Sequence, residues 1–177
     1  MRARNILWLL ALMCALSLVL ACSEDSEDGD EDCWTDPNTG FTWQIQPADG
    51  LMTWQQAVEY CDQLELGGHE DWMLANIDEL RSIIRGCPET ETLGECGMVD
   101  GCLECWTDVC EACEENYQGV MDNCRFPSNL LGGCEEMYWS SSEHENDSDV
   151  AAWADFFGAS LGSTDKTFEF QARCVRH

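Results

Sequence analysis

Apolar residues recur at helical spacing in two short segments of the first half of the chain. The first segment places on one face Trp54, Ala57, Val58, Cys61 and Leu64. Thr53 precedes it as a helix N-cap, and Gln56 follows three residues later as the partner in a capping box. Asn76 and Glu79 repeat this pattern before a second apolar segment, residues 77–84. The sequence therefore predicts two short helices.

Alternating apolar and polar residues predict strands in the rest of the chain. The predicted strands span residues 41–45, 137–141, 150–157 and 167–175, and residues 71–74 form an extended crossing segment. The last strand would bury on one face Phe168, Phe170, Ala172 and Cys174. Since Cys61 faces the core from the first helix, we expect a disulfide between Cys61 and Cys174. Together these elements predict an α+β fold with a small, mostly antiparallel sheet.

Residues 87–134 interrupt this pattern as a disulfide-rich loop insert. Apolar periodicity is weak there, and a loop of this length requires bridges or secondary structure of its own. Its eight cysteines are Cys87, Cys96, Cys102, Cys105, Cys110, Cys113, Cys124 and Cys134. We expect them to form disulfides, with Cys33 paired to one of them, although the sequence does not choose the pairing.

Zinc or a metal cluster is the alternative for four of these cysteines. Cys102 and Cys105 form one C-x-x-C pair, and Cys110 and Cys113 form a second pair after a gap of four residues. Tetrathiolate zinc sites separate such pairs by about 15–20 residues. The short gap, together with a cysteine content typical of exported proteins, favours disulfides.

The first residues have the pattern of an export signal. Two arginines precede an apolar run over residues 6–21, which is shorter than the ~20 residues of a membrane-spanning helix. Residues 19–22, Val-Leu-Ala-Cys, resemble the lipobox of bacterial lipoproteins. This resemblance implies a signal peptide over residues 1–21 and an acylated Cys22 that anchors the protein to a membrane.

The residues around the lipidated cysteine carry two further expectations. Ser23 follows Cys22, and by resemblance to enterobacterial sorting rules it favours the outer membrane or the cell surface. Eleven cysteines remain in the mature chain after Cys22 is acylated. Because eleven is odd, we expect one thiol to be free, capped or bonded to another chain.

The chain is strongly acidic, with 35 Asp and Glu, 8 Lys and Arg, and a formal charge of −27. Seven of the acids fall in residues 23–32, so residues 22–32 are expected to form an extended tether. The domain of residues 33–177 still holds 28 acidic and 6 basic residues. This charge excludes nucleic acid as a partner and disfavours sulfated polysaccharides and anionic lipid surfaces.

Candidates for metal binding or catalysis are few. The loop of residues 143–149 carries four acids that could bind calcium, namely Glu143, Glu145, Asp147 and Asp149. A solvated acidic loop is the alternative, and no cofactor is expected. The histidines His69, His144 and His177 lie in no zinc-protease or catalytic-triad motif and are expected at the surface. We therefore expect a protein that is not an enzyme.

Several short motifs in a fixed order resemble the Lcl C-terminal domain family. The matching segments are Thr39–Gln44, Met52–Ala57 with Tyr60-Cys61, Leu66–Leu74 with Asp78–Ser82, Tyr138–Ser142, Ala152-Trp153 with Asp155-Phe156, and Arg173–Val175. The family resembles C-type-lectin-like and formylglycine-generating-enzyme-like domains, in which a helix cysteine near the start pairs with one near the end. The resemblance therefore implies a C-type-lectin-like fold and agrees with a bridge between Cys61 and Cys174.

This chain departs from the family in one motif and in its charge. Met73-Leu-Ala-Asn76 replaces the usual Arg-Leu-Pro-Thr, which removes a buried polar anchor and a rigid turn. The namesake adhesin binds sulfated polysaccharides through basic residues, and the acidity of this chain argues against that ligand.

The resemblance and the charge together give the expected function. We expect a cell-envelope lipoprotein with a non-catalytic domain that binds a glycan or a protein, and with the insert as its recognition surface. Trp106, in the insert, is the tryptophan least committed to the core. The alternatives are a structural envelope protein, disulfide-linked through the odd cysteine, and a formylglycine-generating-enzyme-like oxidoreductase.

Overall fold

The computed structural model describes residues 32–111, 113 and 124–177. The predicted signal peptide, Cys22 and most of the acidic tether lie outside these residues and stay predictions. The helices are α1, Trp54–Asp62, and α2, Ile77–Ser82. The described strands are β1 Cys33–Thr35, β2 Thr42–Gln44, β3 Met73–Leu74, β4 Met137–His144, β5 Asp147–Asp155, β6 Leu161–Asp165 and β7 Cys174–Arg176. None of the helices in the described part of the chain has the length and apolar character needed to cross a bilayer.

The strands form two small antiparallel sheets, where the sequence predicted one. The first sheet has the order β1-β2-β7-β3, and the second has the order β4-β5-β6. The described residues form two α-helices and are joined to one another by five disulfides, which confirms the predicted α+β, disulfide-rich architecture.

Both helices begin at the capping residues that the sequence predicted. At α1, the Oε1 atom of Gln56 accepts a hydrogen bond from the backbone N–H of Thr53 at 2.9 Å. At α2, the Oδ1 atom of Asn76 accepts a hydrogen bond from the backbone N–H of Glu79 at 2.9 Å. In return, the Glu79 carboxylate accepts a hydrogen bond from the backbone N–H of Asn76 at 2.7 Å. These bonds satisfy backbone donors that the first turn of a helix leaves free.

The core consists of two apolar clusters on opposite faces of the second sheet. Successive side chains of a strand point to opposite faces, so Tyr138 belongs to the first cluster and Trp139 to the second. The first cluster joins the sheet to α2 and to the insert, whereas the second joins it to α1. In the second cluster, Cys61 and Cys174 form the predicted disulfide, with a Cα–Cα distance of 5.4 Å.

The prediction of one strand over residues 167–175 is wrong. The chain turns immediately after β6, where the Oδ1 atom of Asp165 accepts a hydrogen bond from the backbone N–H of Thr167 at 2.8 Å. Phe168 consequently lies at the surface with 56% of its area exposed, and strand β7 begins only at Cys174. Strand β6 itself was missed because its residues, Leu-Gly-Ser-Thr-Asp, carry little apolar character.

Candidate functional site

Within the described residues, the disulfides of the insert form a nested set. Cys102 is bonded to Cys105, inside a loop closed by Cys96 and Cys110, which itself lies inside a loop closed by Cys87 and Cys113. A separate disulfide joins Cys124 to Cys134. The nesting ties a segment with little regular secondary structure to the buried core through Cys87, Cys96 and Cys110. The predicted disulfides of the insert are therefore present.

Cys33 does not pair with a cysteine of the insert, so this expectation is wrong. The eight insert cysteines form four disulfides with one another, so none of them is bonded to Cys33. Cys33 is itself disulfide-bonded.

The zinc alternative fails on the same geometry. Cys102 and Cys105 are bonded to each other, while Cys110 and Cys113 are bonded to cysteines outside the two C-x-x-C pairs. A thiolate is the form of cysteine that binds metals, and a disulfide sulfur carries no such charge. Within the described ranges, the one group of acids, cysteines or histidines compact enough for a metal is Cys87, Glu89 and Cys113. Two of its three ligand atoms form a disulfide.

The four calcium candidates do not converge on a common point. The predicted loop is a tight hairpin, because β4 runs to His144 and β5 begins at Asp147. The Glu143 carboxylate pairs with Lys166, and the Oδ1 atom of Asp147 accepts from the backbone N–H of Asp149 at 3.1 Å. Glu145 accepts from the backbone N–H of Leu103 at 2.7 Å. This hairpin therefore lacks the group of six to eight oxygen ligands that calcium takes.

The histidines occupy three different settings. His69 lies half-buried near the double-glycine turn. His177 is exposed, as expected, and it stacks on Phe41 and pairs with the buried carboxylate of Glu79. His144, at the end of β4, accepts a hydrogen bond at Nδ1 from the backbone N–H of Asn146 at 3.2 Å. Of the three, His144 lines a cleft between the insert and the second sheet.

This cleft, which we call the insert cleft, is an open cavity of about 360 Å³ beside the edge strand β6. The insert contributes one wall, made by Leu103, Glu104, Trp106 and Glu111. The second sheet contributes the other wall, made by His144, Trp153, Gly162 and Ser163. Each of the three strands of the second sheet supplies at least one of these residues, so the site exists only where insert and scaffold meet.

Two tryptophans give the insert cleft its aromatic surface. The Trp106 Nε1 atom donates a hydrogen bond to the carbonyl oxygen of Leu161 at 2.8 Å, and 37% of the residue remains exposed. Trp153 packs its indole over Gly162, where an added Cβ would lie 2.3 Å from the Trp153 Cζ2 atom. Both rings are thus held in place, one by a hydrogen bond and the other by a glycine.

Glu145 ties the insert to the β4–β5 hairpin beside the insert cleft. Its carboxylate accepts from the backbone N–H of Leu103, at the start of a 3-10 helix spanning Leu103–Cys105. Hydrogen bonds from its own backbone and from that of Leu103 hold the pKa of Glu145 below its ordinary value. Glu104, within the same 3-10 helix, accepts from the side-chain amide of Asn146 at 3.4 Å. These contacts orient the insert wall against the sheet.

A second cleft, of about 330 Å³, lies beside β2. Its principal polar side chains satisfy each other, since the Gln44 amide donates to the Tyr60 hydroxyl oxygen at 2.7 Å. Tyr60 is the aromatic residue that lines it. This cleft has one aromatic ring, and its Gln44 and Tyr60 side chains already hydrogen-bond each other. It is therefore a weaker candidate for a ligand site than the insert cleft.

Sequence reasoning identified Trp106 but missed most of its neighbours in the insert cleft. Glu104 and Glu111 lie among many acids and carry no distinguishing pattern. Gly162 and Ser163 belong to the strand that was not predicted. Trp153 lies in a predicted strand, which gave no sign of the insert cleft, and it is half-buried. Gly162 would have been a signal only once its strand was known, because an interior glycine often marks a close approach of another group.

Fold and site together define a disulfide-stapled α+β domain with an aromatic cleft under a cysteine-rich insert. The model of the Lcl C-terminal domain family matches residues 32–176, and the chain belongs to this family. No curated protein and no solved structure matches the chain. The C-type-lectin-like part of the fold prediction therefore stays a prediction. Membership of the family indicates a domain associated with the cell envelope or the extracellular space.

Proposed function

We propose that this chain is a lipid-anchored protein of the cell envelope whose Lcl C-terminal domain binds a glycan, without catalysis, in the insert cleft. The observation that carries the proposal is the pair of oriented tryptophans, Trp106 and Trp153, beside the carboxylates of Glu104 and Glu111. A sugar ring combines apolar C–H faces with hydroxyl groups. An aromatic face next to hydrogen-bond acceptors complements both of these features.

The size of the insert cleft favours a glycan over a folded protein partner. Its volume of about 360 Å³ lies near the lower end of the range for small-ligand pockets, roughly 300–1,000 Å³. A stable protein complex instead buries about 1,200–2,000 Å² of surface. The open shape of the insert cleft would suit one or two sugar rings within a longer chain.

A glycan array probed with the purified full-length protein tests this proposal. We expect binding that falls about 10-fold or more in W106A, and that W106F largely retains because it keeps an aromatic face. F168A is the matched control, because Phe168 is an exposed aromatic residue that does not line the insert cleft. Binding that is equal in the wild type and W106A would contradict the proposal.

The membrane anchor is proposed from Cys22 and its lipobox-like context. Several acyl chains on one residue hold a protein firmly, whereas one chain alone binds only marginally. The acidic tether would hold the domain away from the membrane, and Ser23 favours the outer membrane or the cell surface. We expect the wild type in the membrane fraction, with an intact mass that shows acylation. C22S should be absent from the membrane fraction and should carry no acyl chains.

A further inference from the structure

The basic residues of the described domain are all engaged in internal contacts. Three are buried and donate to backbone carbonyl oxygens: Arg81 to Met98, Arg125 to Gly86, and Arg173 to Gln44. The other three form ion pairs, namely Arg85 with Asp36, Lys166 with Glu143, and Arg176 with Asp71. Asp36 and Glu79 are buried, and the described acids that face solvent have few positive groups among them.

The insert cleft shares this imbalance. Among the residues that the structure describes, no lysine or arginine lines it, whereas Glu104 and Glu111 both do. Glu104 accepts its hydrogen bond from a neutral amide, that of Asn146. No lysine or arginine in the lining therefore offsets the negative charge of Glu104 and Glu111, and His144 is the titratable nitrogen base that lines the insert cleft.

We propose that the glycan bound in the insert cleft carries free amino groups, as in oligomers of glucosamine. This inference rests on the proposed function and names the ligand class of the same site. A protonated amine is attracted by the carboxylates of Glu104 and Glu111 through Coulomb interactions. It is also attracted by the faces of Trp106 and Trp153 through cation–π interactions.

The chemistry separates amino sugars from their closest analogues. An N-acetylated sugar presents the same ring face to a tryptophan but carries no positive charge. A sulfated sugar adds negative charge, which the carboxylates would repel. Charge complementarity at this site therefore favours the free amine over both modified forms.

A matched pair of ligands tests the inference. The full-length protein is titrated calorimetrically with glucosamine tetramer and with N-acetylglucosamine tetramer. These two tetrasaccharides differ only in whether their amino groups are free or acetylated. Titration at about pH 6 keeps the amines protonated and stays above the ordinary pKa of glutamic acid, about 4.3. We expect the glucosamine tetramer to bind about 10-fold more tightly, a preference that weakens as salt is added.

Variants assign this preference to the insert cleft. E104Q/E111Q should bind both tetramers with similar affinity, because the amide side chains keep their shape but lose the charge. E135Q/E136Q is the matched control, since it removes two exposed acids that do not line the insert cleft. It should retain the preference for the free amine.

The outcomes separate this inference from the proposed function. Equal binding of both tetramers by the wild type would overturn the inference and leave glycan binding intact. Failure of both tetramers to bind, together with an empty glycan array, would overturn the proposed function itself. Binding of trilysine as tightly as the glucosamine tetramer would also overturn the inference, because the site would then recognise charge without the sugar.

Discussion

Trp153 reaches the insert cleft because the residue opposite it on β6 is a glycine. Trp153 and Gly162 are register partners, and a Cβ added at Gly162 would lie 2.3 Å from the indole. A methyl group there forces the ring to move or the strands to separate. We expect G162A to lower the free energy of unfolding by about 1–3 kcal/mol, as overpacking of a core usually does. It should also weaken glycan binding. Urea unfolding measures the loss of stability, and calorimetric titration measures the loss of affinity.

Gly133 provides the control for this substitution. A Cβ built at Gly133 meets nothing within 4 Å. G133A should therefore keep both the stability and the binding of the wild type. If G162A matched G133A in both measurements, the indole would not be held by the glycine in the way the geometry implies.

For single residues, the sequence predicts a contact where one feature, such as apolar periodicity, decides which way the side chain faces. Cys61 and Cys174 each faced inward by periodicity, and they are bonded. Trp106 lay in a segment without apolar periodicity, and it is partly exposed. Glu104 and Glu111 could not be chosen in the same way. Their selection depends on which acids the nested disulfides bring opposite β6, and this requires three-dimensional information.

The two kinds of disulfide in this domain should differ in their effect on stability. Cys61–Cys174 closes a separation of 113 residues, whereas Cys102–Cys105 closes a separation of three. By chain entropy, we expect C61A/C174A to lose roughly 5 kcal/mol of stability and C102S/C105S roughly 2 kcal/mol. Urea unfolding under non-reducing conditions measures both values.

The short disulfide should matter more for binding than for stability. It closes the 3-10 helix that carries Glu104 and directly precedes Trp106. C102S/C105S should therefore remain folded while its affinity for the glycan falls. Unchanged affinity in this variant would mean that other contacts, such as the hydrogen bond from Trp106 to Leu161, suffice to order the insert wall.

The contact of Glu145 between hairpin and insert should make stability depend on pH. Since backbone hydrogen bonds lower the pKa of Glu145 in the folded state, its stabilisation is complete above the unfolded pKa, near 4.5. It is lost as the pH falls through the lower folded value. We expect E145Q to be less stable than the wild type at neutral pH, and the difference to shrink below about pH 4.5. Urea unfolding over a pH series measures it.

The control for this prediction is E169Q, which removes a surface carboxylate outside the hairpin and the insert. Its difference from the wild type should stay small at every pH. A constant gap between E145Q and the wild type from neutral to acidic pH would show that the charge of Glu145 does not hold the insert.

Elements with strong local signals were predictable, and those set by tertiary contacts were not. The caps at Thr53 and Asn76 fixed the starts of both helices. Strand β6 is polar along most of its length, and it forms because β5 pairs with it and Trp106 covers its outer edge. The division into two sheets likewise depends on which strands pair with β7, and alternation along one strand contains no such information.

Across the whole molecule, the distribution of bases decides which polysaccharides the domain can approach. Sulfated chains are bound by clusters of exposed Lys and Arg, and here the six bases of the domain are buried or paired with acids. Burial lowers the pKa of Arg81 and Arg173, and both guanidinium groups donate to internal backbone carbonyl oxygens instead of reaching the surface. The long-range field is therefore negative, and a sulfated chain is repelled before contact.

We accordingly expect the full-length protein to pass through a heparin column at physiological salt and to show no added retention at lower salt. Repulsion is screened over a Debye length of about 8 Å at 0.15 M, so lowering the salt should strengthen the exclusion. The E104Q/E111Q variant is informative because it neutralises the insert cleft and leaves the remaining acids in place. If E104Q/E111Q still passes through the heparin column, the repulsion comes from the acids of the whole surface. If the column retains this variant, the repulsion comes from the insert cleft alone.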